Sequence, residues 1–274
     1  MRVEDLLVFG KEKCHSEHAK ILLAELLNKN PLELLNCLEE VVPEEIANLY
    51  QKEIEALSTG KPLQYVIGTV NFYGNIFEID ERVLIPRFET EELVENTIQY
   101  IKKYWQEPID IIDLGCGSGV IGLTLEKKVS TTSVDLVDIS PAALEVAQKN
   151  GKRLQSKASF IESDFFTNIK KKYDVIISNP PYISTEEEIE EIVKENEPSE
   201  ALYAGKEGLD CYEKILQEVE NHMKDKCLIA FEIGANQAEK IIKIIQKYLK
   251  DVSIEVKKDL SGRDRMLFIF KNME

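Results

Sequence analysis

The sequence comprises 274 residues, 43% hydrophobic and 31% charged, which is enough to bury the core of one or two domains and too apolar for a disordered or low-complexity chain. Lys and Arg number 34 against 50 Asp and Glu, a net charge of −16 that disfavours any partner held by neutralising phosphates, so no direct nucleic-acid partner is expected. Five cysteines, odd in number and never in a C-x-x-C pair, exclude a disulfide framework and a zinc knuckle.

Residues 1–10 carry Arg2, Glu4 and Asp5 in place of a signal-like apolar run, and no later stretch reaches the roughly 18 apolar residues of a membrane span. A cytoplasmic protein without a membrane partner is therefore expected. Cys14, His15 and His18 cluster with no second ligand group nearby, so no metal is expected. The first 60 residues read as helices. Ser16 suits the cap of a helix carrying Ala19, Leu22, Leu23 and Leu26, Pro31 and Pro43 suit the first turns of two more, and Gly60 ends the set. Residues 1–70 hold 7 basic and 12 acidic side chains, so this unit has no basic face and reads as a packing or protein-binding module.

Two short β-rich runs, 69–72 and 76–79, flank Tyr73-Gly74-Asn75 and predict a hairpin. From Pro108 onward strands alternate with helices: strands are expected at 109–114, 133–137, 158–161, 174–178, 227–233, 252–256 and 266–270, with helices at 120–126 and 141–149 among those between them. This alternation predicts a Rossmann-like, doubly wound α/β sheet with mainly parallel strands.

The first of these strands runs into Gly115-Cys116-Gly117-Ser118-Gly119 and then a helix. Glycines at alternate positions let the backbone turn tightly and approach a ligand, at the sheet edge where such folds bind nucleotides. A dinucleotide fingerprint needs glycine at the sixth position, here Val120, so the spacing favours S-adenosylmethionine over NAD. The second strand ends at Asp138, placed to accept from both ribose hydroxyls. Cys116 fills the loop and has no partner base. After the third strand, Asp164 is placed to accept from the adenine amine and Phe165 to pack on the ring; the other reading, core packing, is preferred for Phe166.

The fourth strand runs into Asn179-Pro180-Pro181-Tyr182. Two prolines fix φ twice and remove two backbone donors, so the segment presents its carbonyls rigidly. Such a device suits methylation of a planar nitrogen, whose lone pair is delocalised. If the Asn179 oxygen and the Pro180 carbonyl accept its two hydrogens, negative character rises on the nitrogen as the methyl group arrives, and Tyr182 stacks on the planar group. Adenine N6 in nucleic acid and the glutamine amide in protein both fit this chemistry. The net charge and the acidic run Glu186, Glu187, Glu188, Glu190, Glu191 and Glu195 argue for protein. That run is either a solvated face or a lure for a basic protein substrate.

Several stretches in order make the chain resemble the HemK/PrmC family of peptide chain release factor N5-glutamine methyltransferases. They are Gly60 to Gly68, Leu84-Ile85-Pro86-Arg87 with Glu89-Thr90-Glu91, the glycine loop, Asn179 to Tyr182, Glu197-Pro198, Gly208-Leu209-Asp210 and Arg263-Asp264-Arg265. The resemblance implies a helical substrate-recognition domain over 1–68, a hairpin linker over 69–85 and a seven-stranded class I methyltransferase domain over 86–274. It also implies the substrate, the glutamine of the Gly-Gly-Gln motif of release factors, and conversion of S-adenosylmethionine to S-adenosylhomocysteine; a monomer is expected. By the same likeness Gly115 to Gly119, Asp138, Asp164, Phe165 and Asn179 contact the cofactor and Asn179, Pro180, Pro181 and Tyr182 hold the glutamine. Phe88 stands where the family usually has proline, and Phe165 where it often has Trp. A ribosomal-protein glutamine methyltransferase and an adenine amino-methyltransferase remain the alternatives.

Overall fold

A computed structural model describes residues 1–273; Glu274, the last residue of the expected methyltransferase domain, lies outside the described residues. The chain divides into two compact units, residues 1–69 with 190–196, and residues 70–189 with 197–274.

The smaller unit contains α1 (Val3–Lys13), α2 (Ser16–Leu26), α3 (Glu44–Ser58) and α4 (Leu63–Ile67). Leu6, Leu22, Leu23, Leu34, Tyr50 and Ile54 fill its core, and the Tyr50 hydroxyl donates to the Ala19 carbonyl at 3.3 Å. Three expectations change here. Ser16 is the first helical residue rather than its cap, a place taken by His15 without a side-chain bond. The segment after Pro31 closes only a 3₁₀ turn, Glu33–Asn36, because the Asn30 side chain accepts from the amides of Leu32 and Glu33 and starts the turn late. Gly60 does not end the set: α4 follows, and Gly68, left-handed at φ +79°, terminates it. Asn196, in the distant 190–196 segment, donates to the Gly60 carbonyl at 3.3 Å, which ties that segment to this unit.

The larger unit begins at Val70, the second residue of the hairpin β1 (Thr69–Phe72) and β2 (Asn75–Glu78), which Tyr73 and Gly74 turn at φ +50° and +77°. It continues through α5 (Phe88–Tyr104), β3 (Ile109–Leu114), α6 (Val120–Lys128), β4 (Thr131–Asp138), α7 (Pro141–Leu154), β5 (Ser159–Glu162) and β6 (Tyr173–Ser178). After α8 (Glu191–Asn196), which counts with the smaller unit, come α9 (Asp210–His222), β7 (Met223–Glu232), α10 (Ala238–Tyr248), β8 (Val252–Lys258) and β9 (Asp264–Lys271). Seven strands form one sheet in the order β5-β4-β3-β6-β7-β9-β8. All neighbours are parallel except those of β9.

The central strands are apolar on both faces, as a covered parallel sheet requires: every residue of β6 is buried. Each such Val or Ile contributes about 1.5–3 kcal/mol. The charged groups near the amino ends of β3, β6 and β7 are paired. Lys224 reaches Asp110 at 2.6 Å and Asp174 at 2.7 Å, and Lys171 reaches Asp110 at 2.9 Å. From β3 the chain winds outward through β4 to β5, then crosses back to β6 on the other side of β3. The order therefore reverses between β3 and β6, and the loops leaving their carboxyl ends flank the crevice where such sheets bind ligands.

Candidate active site

Asp113 lies opposite Ile177 in register, so the loops after β3 and β6 start side by side. The Ser178 hydroxyl donates to the Leu114 carbonyl at 2.6 Å and fastens the two strand ends together. In the first loop, the amides of Gly115 and Cys116 donate to the Val137 carbonyl at 2.8 and 2.9 Å, and the Gly117 amide donates to Asp138 Oδ2 at 2.8 Å. Asp138 Oδ1 accepts from the Ser140 amide at 2.9 Å. Each oxygen keeps a further lone pair, so the carboxylate that shapes the loop can still accept from ligand hydroxyls. Burial raises its carboxyl, against the pull of the Ser140, Gly117 and Ile139 amides. Ile139 beside it is 57% exposed, an apolar side chain on the same rim that sequence reading passed over.

Gly115 and Gly117 have φ of +70° and +53°, and a Cβ on either would meet nothing within 4 Å. Beneath them Asp113 is wholly buried: Oδ2 accepts from the Gly122 amide at 2.9 Å, while Oδ1 has no partner. Burial pushes this carboxyl up to about 7, opposed by the Gly122 amide and reinforced by Asp138. Open backbone, an orphaned buried acceptor and a rim carboxylate fit a nucleoside ligand that carries donor groups, the class S-adenosylmethionine belongs to. Cys116 and Ser118 are buried in the loop, and burial lifts the Cys116 thiol well above its ordinary value, which removes it as a nucleophile. The Ser118 carbonyl accepts from Asn150 at 2.9 Å, and Asn150 also bonds both backbone groups of Glu78.

Phe165 is half-buried at φ +48°, and Asp164 forms an ion pair with Lys214, a partner the sequence did not disclose. Phe166 stacks on His222 with ring centroids 4.3 Å apart, in the core role expected of it.

In the second loop, Asn179 and Tyr182 are half-buried and Pro180 is buried. Asn179 Nδ2 donates to Thr90 Oγ1 at 3.3 Å, and the Thr90 hydroxyl donates to Glu232 Oε2 at 2.7 Å. Burial lifts the Glu232 carboxyl to about 7; Thr90, Arg265 and Tyr182 hold it down and Glu89 adds to the rise. Burial likewise pushes the Tyr182 phenol up to about 12, with Glu232 and Glu89 raising it and Arg265 and Arg87 opposing. Gln237 Nε2 donates to the Tyr182 carbonyl at 2.8 Å and to the Gly208 carbonyl at 3.2 Å, holding the end of the segment. Arg87 pairs with the buried Glu197, whose Oε2 accepts from the Ile85 amide at 3.1 Å. The six glutamates from Glu186 to Glu195 are exposed.

Thus the structure brings Gly115, Gly117, Asp138, Asn179 and Tyr182 to one sheet edge. Thr90, Glu232, Gln237 and Asn150 join the site only in the fold. Glu232 left one signal, a lone carboxylate in the otherwise apolar run 227–233, which must find partners when buried. Gln237 left none.

The chain matches the family described as Methyltransferase small domain over residues 94–199 and the one described as PrmC N-terminal domain over residues 15–68. It is 37% identical over 267 residues to a release factor glutamine methyltransferase of Bacillus cereus, spanning 95% of this chain and 94% of that one. To the protein of the same name from Bacillus subtilis it is 38% identical over 263 residues, 93% and 91% of the two chains. Among solved structures, a T. thermophilus 16S rRNA N2 G1207 methyltransferase in complex with AdoMet and guanosine superposes with a TM-score of 0.56 at 16% identity. That match covers 74% of this chain and 50% of that one, and shows a common fold.

Proposed function

The chain belongs to the release factor glutamine methyltransferase family, and from that membership we propose that it methylates the side-chain amide nitrogen of the glutamine in the Gly-Gly-Gln motif of release factors. S-adenosylmethionine is the methyl donor. Bound at the glycine loop, it supplies a methyl group already activated on a sulfonium. Gly115 to Gly119 would admit it closely, Asp138 would hold its hydroxyls, and Asp164 and Phe165 would face its base.

The observation that carries this reading is the position of Asn179-Pro180-Pro181-Tyr182 beside the glycine loop, with the Asn179 nitrogen occupied by Thr90 and its oxygen free to accept. That oxygen and the Pro180 carbonyl would take the two N–H hydrogens of the glutamine amide, raising electron density on nitrogen where the methyl group arrives. Tyr182 would cover the planar amide, its phenol neutral at working pH as an ordinary tyrosine is, and burial raises it further. The main contribution is alignment of a weak nucleophile with an activated donor. The helical unit, residues 1–68, would hold the body of the release factor.

Mass spectrometry of release factor incubated with this protein and S-adenosylmethionine tests the reading. One added methyl on the Gly-Gly-Gln glutamine is expected. Labelling of a ribosomal protein or an adenine-containing duplex in parallel reactions, with none on the release factor, would overturn it.

A further inference from the structure

Asn179 serves an amide substrate only with its oxygen toward it. A side-chain amide presents an acceptor on one side and a donor on the other, and the two are nearly the same shape, so packing alone does not select between them. Here the direction of a hydrogen-bond chain selects. Glu232 closes β7 at 1% exposure, and an ionised carboxylate can only accept. The Thr90 hydroxyl, 2% exposed in the first turn of α5, gives its single proton to Glu232 Oε2 at 2.7 Å. Thr90 Oγ1 is then left only to accept, and the atom 3.3 Å from it is Asn179 Nδ2.

We infer that Thr90 and Glu232 are positioning residues for amide methylation: the chain from Asn179 Nδ2 through Thr90 Oγ1 to Glu232 Oε2 turns the Asn179 oxygen toward the substrate. The inference rests on the glutamine-methylation reading and assigns what sets the acceptor's orientation. The groups facing Glu232 are Thr90 and Glu89 from α5, Tyr182 beyond β6, Arg265 from β9 and Tyr212 from α9, whose hydroxyl donates to the Glu232 main-chain carbonyl at 2.7 Å. A Glu232 that gained a proton would donate to Thr90, Thr90 would then donate to Asn179, and the Asn179 amide would turn its NH₂ toward the reacting nitrogen of the substrate, which in that position offers only N–H. Turnover therefore follows the ionised form of Glu232. Gln at this position has a donor of its own and permits the same reversal at every pH.

The test uses the full chain with Thr90→Val, Thr90→Ser, Glu232→Gln and the Val/Gln double variant. It reads kcat and KM with release factor, the Kd for S-adenosylmethionine, and thermal unfolding. Thr90→Val and Glu232→Gln should each lower kcat by about 10- to 100-fold, as loss of a charge-anchored hydrogen bond does, with the cofactor Kd unchanged. Thr90→Ser should restore most of the loss, and the double variant should be no slower than the worse single one, because both break the same chain. In the native protein kcat should rise through neutral pH, and in Glu232→Gln that rise should vanish. Native-like kcat in Thr90→Val, failure of Thr90→Ser to rescue, or multiplying losses in the double variant would each overturn the inference. If Glu232→Gln fails to fold, the Val and Ser pair at Thr90 decides alone. A native protein that leaves release factor unmethylated refutes the functional reading; an active native protein with an equally active Thr90→Val refutes only this inference.

Discussion

In the proposed reading Asn179 acts mainly on the substrate amide and Asp138 on the cofactor, and alanine at each should separate the two. Asn179→Ala would remove the acceptor for the reacting amide, a loss of about 1–3 kcal/mol that should lower kcat more than it weakens S-adenosylmethionine binding in calorimetry. Turnover equal to the native enzyme would remove Asn179 from the mechanism. Asp138→Ala takes away the acceptor for ligand hydroxyls and also the partner of the Gly117 and Ser140 amides, so the cofactor Kd should rise. An unaltered Kd would show that the ligand lies elsewhere. Asp113 contributes to stability with a definite sign. Its carboxyl titrates at 3.8 in an ordinary setting and near 7 when buried here, so the folded state holds a proton that the unfolded state lacks across that interval. The stability it contributes is full below the lower value and is lost as pH rises through the upper one. Asp113→Asn does not titrate, and its unfolding temperature relative to the native protein should climb as pH rises from about 4 to about 7 and level off above that. A constant difference across that range would contradict the shift.

The loop from β3 into α6 uses its glycines for two purposes, which can be told apart. Gly119, at φ +81°, sits where a Cβ would lie 3.0 Å from both Leu123 and Leu136, so Gly119→Ala adds crowding to backbone strain and should destabilise the fold by about 1–3 kcal/mol. Gly117 is also left-handed but faces open space, so Gly117→Ala should cost only about 1 kcal/mol of stability while obstructing the ligand. Thermal unfolding and cofactor titration on the two variants should therefore rank them in opposite orders. Elements were legible where local chemistry announced them: Tyr73-Gly74 turned its hairpin, and the apolar run of β6 formed its strand. Met223 to Lys226, the first part of β7, was not legible. Its Lys224 and Lys226 look like loop residues until Lys224 meets Asp110 and Asp174, which lie far away in sequence.

Across the whole molecule, the net charge of −16 is spread over two units, and no helix among the described residues is long and apolar enough to cross a membrane. The helical unit carries exposed apolar side chains at Leu32, Leu35 and Val41, 71%, 58% and 77% accessible, which a substrate-holding role would use. Leu32→Glu with Leu35→Glu should raise KM for intact release factor several-fold while leaving KM for a short Gly-Gly-Gln peptide unchanged. Equal effects on both substrates would assign that role to another surface.

The sequence by itself determined the α/β alternation, the glycine loop, the carboxylate at the end of the second strand and the Asn-Pro-Pro-Tyr segment. Each is written in neighbouring residues: alternation sets the period, glycine permits the turn, and proline fixes the backbone. Only the tertiary structure decided which groups stand behind them. Thr90 reaches Glu232 across 142 positions and Asn179 across 89, and Gln237 reaches Tyr182 across 55. Such meetings depend on strand order and on the crossing from β5 to β6. The direction of the Thr90 chain follows from burial, because a carboxylate removed from water must be satisfied by whatever donors the fold delivers to it.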